Sequence, residues 1–202
     1  MRTDTCTQAR FLGDVKALQM TILRDDGVFR HVRFKEPGST TYMFDLITWP
    51  GHLCYTGDMG TYVFSRIEDM FQFFRNKPRD RHPDELYINL GYWAEKVLAQ
   101  DRHGKIEEYV PEIAKGRLLR YLREDVESKA ERREIYDAVS RYLDDSEFEA
   151  RQALSEHIDD SWEWDLSDYT FSFTWCCYAL VWGIQQYDQA KAGQVEMVEV
   201  AR

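Results

Sequence analysis

The segment LQMTILRDDGVFRHVRFK, Leu18 to Lys35, decides the fold class. Leu18, Met20 and Ile22 alternate with Gln19 and Thr21, the period-two pattern of a strand with one buried face. Asp25, Asp26 and Gly27 make a hairpin turn, because an Asp-Gly pair supplies the positive φ that tight hairpins need. The return strand, Val28 to Lys35, places Val32 and Phe34 on one face and His31 and Arg33 on the other.

The same pattern repeats downstream. Residues 36–39 turn the chain, Thr41 to Trp49 is a third strand rich in β-branched and aromatic residues, and Pro50 with Gly51 turns it again. His52 to Thr56 reads as a fourth strand, residues 57–60 as its loop, and Thr61 to Phe64 as a fifth. Connections this short imply an antiparallel meander. Residues 1–14 are polar and read as a loose lead-in.

Past the sheet the periodicity changes to that of helices. Ser65 and Glu68 are spaced as a capping box, followed by Ile67, Met70, Phe71 and Phe74 as an apolar stripe. A polar, cationic loop over 76–83 separates it from a helix starting near Asp84, with Leu86, Leu90, Trp93 and Val97 on one side. After Gly104 the pattern stays helical. Pro111 suits a first turn, in a helix carrying Ile113, Leu118 and Leu122. Ser128 with Glu131 opens another, carrying Ile135, Val139 and Tyr142, and a further helix spans about Ser146 to Ile158. The last, about Asp168 to Ala190, is apolar on nearly every side, the mark of a helix that others pack around. Residues 192–202 read as a frayed tail. The expected fold is therefore α+β: an N-terminal meander of about five strands over 15–65, then a C-terminal helical bundle over 66–190 around one central apolar helix. No linker or repeat divides the chain, so 1–202 reads as a single domain.

Composition narrows the function classes. Of 202 residues, 44% are hydrophobic and 31% charged, ample for a core and a solvated surface, and the net charge is −10. Direct nucleic-acid binding and attraction to an anionic leaflet are disfavoured, and a partner with a basic surface is favoured. Cys6, Cys54, Cys176 and Cys177 form neither a disulfide framework nor a metal-ligand spacing. With no signal peptide in the first residues, a reducing cytoplasm is the expected compartment. The longest apolar run, Trp175 to Ile184, is far shorter than the roughly 20 residues that span a bilayer.

The charge is concentrated. Between Asp144 and Asp168 lie ten carboxylates and a single cation, Arg151, so most of the chain's net charge sits there. Trp162 and Trp164 fall inside this stretch, and an aromatic side chain beside charge is a common make-up of a binding hot spot. The expected binding face comprises Asp144, Asp145, Glu149, Glu156, Asp159, Asp160, Trp162, Glu163, Trp164 and Asp165. The plainer reading is a solvated helix whose acidic start suits the helix dipole.

Catalytic signals are weaker. His52, Cys54, Thr56 and Asp58 share the i, i+2 alternation that lines one face of a strand, and a thiol beside an imidazole is what thiolate chemistry requires. One strand does not bring His52 and Cys54 together in the orientation a base needs. The cationic loop Arg75, Lys77, Arg79, Arg81 and His82 could meet a phosphate or a carboxylate, though a solvated loop explains it as well. No nucleotide-binding, zinc-protease or nucleophile-elbow motif is present. No catalytic residue, cofactor or metal ligand is assigned.

Two stretches carry a family resemblance: Thr48 to Leu53 through Gly57 to Arg66, and Trp175 to Tyr187. They resemble segments of a family of uncharacterised proteins encoded by tailed phages and prophages. The resemblance implies a bacterial host cytoplasm. It also implies an accessory protein that binds and inhibits a host protein or ribonucleoprotein, such as a CRISPR–Cas or other defence complex. Two alternatives remain at this point: a small hydrolase or nucleotide-processing enzyme using His52, Cys54 and Asp58, and a phage structural or assembly protein. Homo-oligomerisation is left open.

Overall fold

Turn residues set the course of the chain. In the computed structural model, residues 5–75, 82, 85–102 and 104–200 are described, with side chains through 193. Helix α1 (Gln8–Val15) is capped by Thr7, whose hydroxyl accepts from the Arg10 N–H. The strands follow as β1 (Gln19–Asp26), β2 (Phe29–Lys35), β3 (Phe44–Trp49), β4 (His52–Gly57) and β5 (Gly60–Ser65). Gly27, Gly51 and Gly60 take the positive φ that these hairpins demand. Two short helices, α2 (Met70–Phe74) and α3 (Leu90–Ala94), lead to β6 (Val97–Gln100). The six strands form one antiparallel sheet in sequence order. Next come β7 (Glu107–Tyr109), α4 (Pro111–Glu124), α5 (Lys129–Val139), α6 (Glu147–His157) and β8 (Ser167–Tyr169). β8 pairs with β7, and α7 (Phe171–Val200) completes the chain.

The chain packs into two compact units: residues up to Ile106 together with those from Thr170 onward, and Glu107–Tyr169. The sequence reading drew no boundary at either crossing, because neither is marked by a Pro, Gly or Ser-rich linker.

In the first unit, alternation along β2 to β5 sends Val32, Phe34, Phe44, Leu46, Leu53, Tyr55, Tyr62 and Phe64 to one face, all fully buried. α7 lies on that face. Its Trp175 meets Phe44 edge-on at 5.7 Å, Trp182 meets Phe34 at 5.2 Å, and Phe173 meets Tyr62 at 5.4 Å. The helix backbone comes close to the sheet's side chains at Gly183, where a Cβ would stand 3.0 Å from Leu46 Cδ1 and 3.1 Å from Phe34 Cε2. Each side chain this size contributes about 1.5–3 kcal/mol on burial.

The second unit has a core of its own. Ala114, Leu118 and Leu122 of α4, Ile135 and Val139 of α5, and Ala150, Ala153 and Leu154 of α6 pack with Leu143, Ile158 and Leu166. Tyr109 donates its hydroxyl to the Leu143 carbonyl at 2.8 Å. As the sequence predicts, Pro111 occupies the first turn of α4 and Ser128 caps α5 by accepting from the Glu131 N–H; Ser146 likewise caps α6 by accepting from the Glu149 N–H.

The α+β class and the antiparallel meander hold, and several elements differ from expectation. The lead-in contains α1, because Phe11 and Val15 bury one side of it. The capping box at Ser65 is displaced by Asp69, which accepts from Phe71 N–H and receives two further bonds from Arg30. The helix expected from Asp84 is the short α3, and Val97 lies in edge strand β6. Residues 107–109 and 167–169 are strands, so Asp168 lies in β8 and α7 opens at Phe171. Thr170 sets that start, its Oγ1 accepting from Phe173 N–H and donating to the Lys105 carbonyl. The α7 backbone continues to Val200 through most of the expected tail. Finally, the apolar helix packs on the sheet rather than at the centre of the helical bundle.

Candidate functional site

The two ends of α6 organise the acidic stretch. Ala150, Ala153 and Leu154 bury one side of this helix, and Phe148 lies about 200° from Ala150, on the opposite side. It is 76% exposed, more than any other large apolar side chain among the described residues. After α6, Asp160 takes a left-handed conformation at φ 58° and opens a 3-10 turn, Ser161–Glu163. Ser161 is buried and Trp164 packs on the core against Tyr121, at a ring separation of 5.9 Å. Held at both ends, the turn presents Trp162 to solvent at 71% exposure.

The expected face divides into two groups. Several carboxylates have local work. Asp144 accepts two 2.7 Å bonds from Lys115 Nζ, Glu149 closes the Ser146 cap, and Glu156 accepts from Gln152. Asp165 accepts from the Ser167 N–H and hydroxyl, which together hold its carboxyl below the usual range. Trp164 faces the core, so it leaves the expected surface. Asp159, Asp160 and Glu163 remain exposed around Trp162, and Asp145 is exposed before α6.

The surrounding potential is visible in Tyr109. Burial, with added push from the Asp144 and Glu147 carboxylates, raises its phenol to about 12. Glu149 and Glu156, seven residues apart on one side of α6, also line a cavity of about 220 Å³ with Tyr142, Gln152 and Ala153. Phe148 was absent from the expected face. Its signal was an apolar residue off the buried stripe and between two glutamates.

The outer face of the sheet tells a different story. Asp45 on β3 accepts from Arg33 Nε and Nη2 at 2.9 and 2.8 Å, and lies 2.8 Å from His31 Nε2. Burial pushes this carboxyl up, and the bonds from Arg33 and His31 more than offset it, leaving it below its ordinary range. On β4, His52 Nδ1 sits 2.9 Å from the Pro50 carbonyl and its ring stacks on Trp49. Asp58 accepts from the Tyr42 N–H. Burial and the Asp45 charge push the Cys54 thiol up. A nucleophilic thiol needs the reverse shift, and the imidazole is engaged by its own turn.

Of the cationic loop, Lys77, Arg79 and Arg81 lie outside the described residues, and Arg75 pairs with Asp188 on α7 at 2.6 Å. Among the described residues, no group of three or more His, Cys, Asp or Glu side chains is placed to hold a metal ion. No described helix is long and apolar enough to cross a membrane. No family model, curated protein or solved structure matches the chain.

Proposed function

We propose that the chain is a non-catalytic binding protein that takes a basic surface of a host protein or ribonucleoprotein on the Asp159–Glu163 turn and the outer side of α6. One observation carries this reading. Among the described residues, the two most exposed large apolar side chains, Phe148 and Trp162, both lie in the stretch with ten carboxylates and one cation. A solvated acidic helix accounts for the carboxylates but gives no reason to place two aromatic rings in water.

Exposed carboxylates raise the encounter rate with a basic partner and reject acidic ones, while a desolvated aromatic ring supplies most of the holding energy. The turn is braced by buried Ser161 and by Trp164, so the backbone that carries Trp162 is set before any partner arrives and less conformational entropy is lost on binding. The resemblance to phage-encoded proteins directs the search for the partner toward CRISPR–Cas and other defence complexes, and it supports an inhibitory outcome.

The test is capture from a bacterial lysate carrying active immune systems, read by mass spectrometry at low and high salt. The parent chain is compared with a triple variant, Asp159→Lys, Asp160→Asn and Glu163→Lys. Asn at 160 is chosen because it tolerates the left-handed backbone. The parent is expected to hold a basic partner at low salt and release it at high salt. The variant should capture nothing specific at an unchanged thermal midpoint. Equal capture by parent and variant sinks the reading.

A further inference from the structure

The second unit also carries a feature of opposite character. Leu119 follows the core residue Leu118 on α4, and Tyr136 follows the core residue Ile135 on α5, so each stands one step off its buried stripe. Leu119 is 55% and Tyr136 42% exposed, and with buried Leu122 they floor a groove of about 440 Å³. That volume lies within the usual range of a binding cleft, about 300–1,000 Å³. The rim is cationic: Arg123, Lys129 and Arg133 all line the groove. Arg132 is fixed in its wall, donating from Nε to the Val126 carbonyl at 2.6 Å. Arg123 and Arg133 pair with Glu124 and Asp137, but these pairs are exposed and such contacts are weak.

We infer that this groove receives the Asp159–Glu163 turn of a second copy of the chain, with Trp162 on the apolar floor and Asp159, Asp160 and Glu163 against the cationic rim. The two surfaces match in kind and in sign. One offers an apolar recess ringed by positive charge, and the other an exposed indole ringed by carboxylates. The turn does not fill the groove of its own chain: Trp162 is 71% exposed, and no residue of the turn lines the groove. A second molecule must supply the contact. A polyanionic nucleic acid fits less well, since the recess is apolar and the chain carries a net charge of −10. Self-association would occupy the turn assigned above to a basic partner, so the two ligands compete.

Sedimentation velocity of the full chain over a concentration series tests this. At low salt the weight-average sedimentation coefficient should rise with concentration, and the rise should shrink at high salt. Leu119→Glu and Trp162→Ala should each weaken self-association by about tenfold or more. Mixed one to one, the two variants should regain a dimer, because the intact groove of one meets the intact turn of the other. Arg133→Glu serves as a second groove variant should Leu119→Glu shift the thermal midpoint. A parent that stays monomeric overturns the inference, as does association untouched by the variants or a mixture that fails to recover. Leu119→Glu leaves the turn intact, so its capture of a basic partner reads the other proposal independently.

Discussion

The two units differ in where they leave aromatic rings and carboxylates. In the first, aromatic rings are buried in a continuous layer between α7 and the sheet, and charges meet partners. Asp45 is held by Arg33 and His31, Asp69 by Arg30, Asp188 by Arg75, and Asp25 by Tyr187 and Lys191. In the second, Phe148 and Trp162 stand in solvent, and Asp145, Asp159, Asp160 and Glu163 are exposed near them. The contrast separates side chains that stabilise the fold from those the fold does not need. Residues of the second kind are where binding is to be sought.

Five substitutions or conditions can break that contrast. The largest effect is expected for Trp175→Ala, which leaves a cavity among Phe11, Phe44 and Tyr55. Chemical denaturation should show a loss of about 3–5 kcal/mol. Asp45→Asn comes next, since it removes a charge that receives three bonds on the outer face of the sheet. A loss of about 2 kcal/mol is expected in the same measurement, and an unchanged midpoint would mean that Arg33 and His31 find other partners.

Acid should then act on the first unit. Burial opposes ionisation of Asp45 and Asp69, and their arginine partners more than compensate, so both carboxyls titrate below their ordinary range. Their contribution is present above the unfolded value of about 4 and is lost as pH falls through the folded one. Thermal midpoints measured from pH 6 downward should begin to fall at about pH 5 and keep falling below 4. In Asp45→Asn that fall should be shallower, because one contributing carboxyl is gone. Trp162→Ala and Phe148→Ala are the smallest perturbations of the fold, within about 0.5 kcal/mol of the parent. A larger loss in either would place that ring in the core and erase the difference between the units.

How much of this was legible in the sequence depended on whether a local pattern or a distant partner decided the outcome. Strands β1 to β5 were readable because alternation and turn glycines are local signals. α1 was hidden by its length, since Phe11 and Val15 are its only buried residues and eight residues show little periodicity. β6 was misread because Trp93 and Val97 are four apart, a helical spacing, and because an edge strand with exposed Leu98 has little alternation. The cap at Asp69 was decided by Arg30, 39 residues away. α7 was readable as a buried helix, but an all-round apolar surface does not name what covers it, and the sheet did. At the candidate site, the density of carboxylates and Trp162 could be found from sequence. Which tryptophan faces outward could not, because Trp162 and Trp164 differ only in how the turn meets Tyr121.

The most direct test of the account is hydrogen exchange of the chain alone and bound to the captured basic partner. Slowed exchange is expected over residues 147–163, covering α6 and the Trp162 turn, with the outer face of β2 to β4 unchanged. Protection centred instead on the strands that carry His31, Arg33 and Cys54, with 147–163 unaffected, would contradict it.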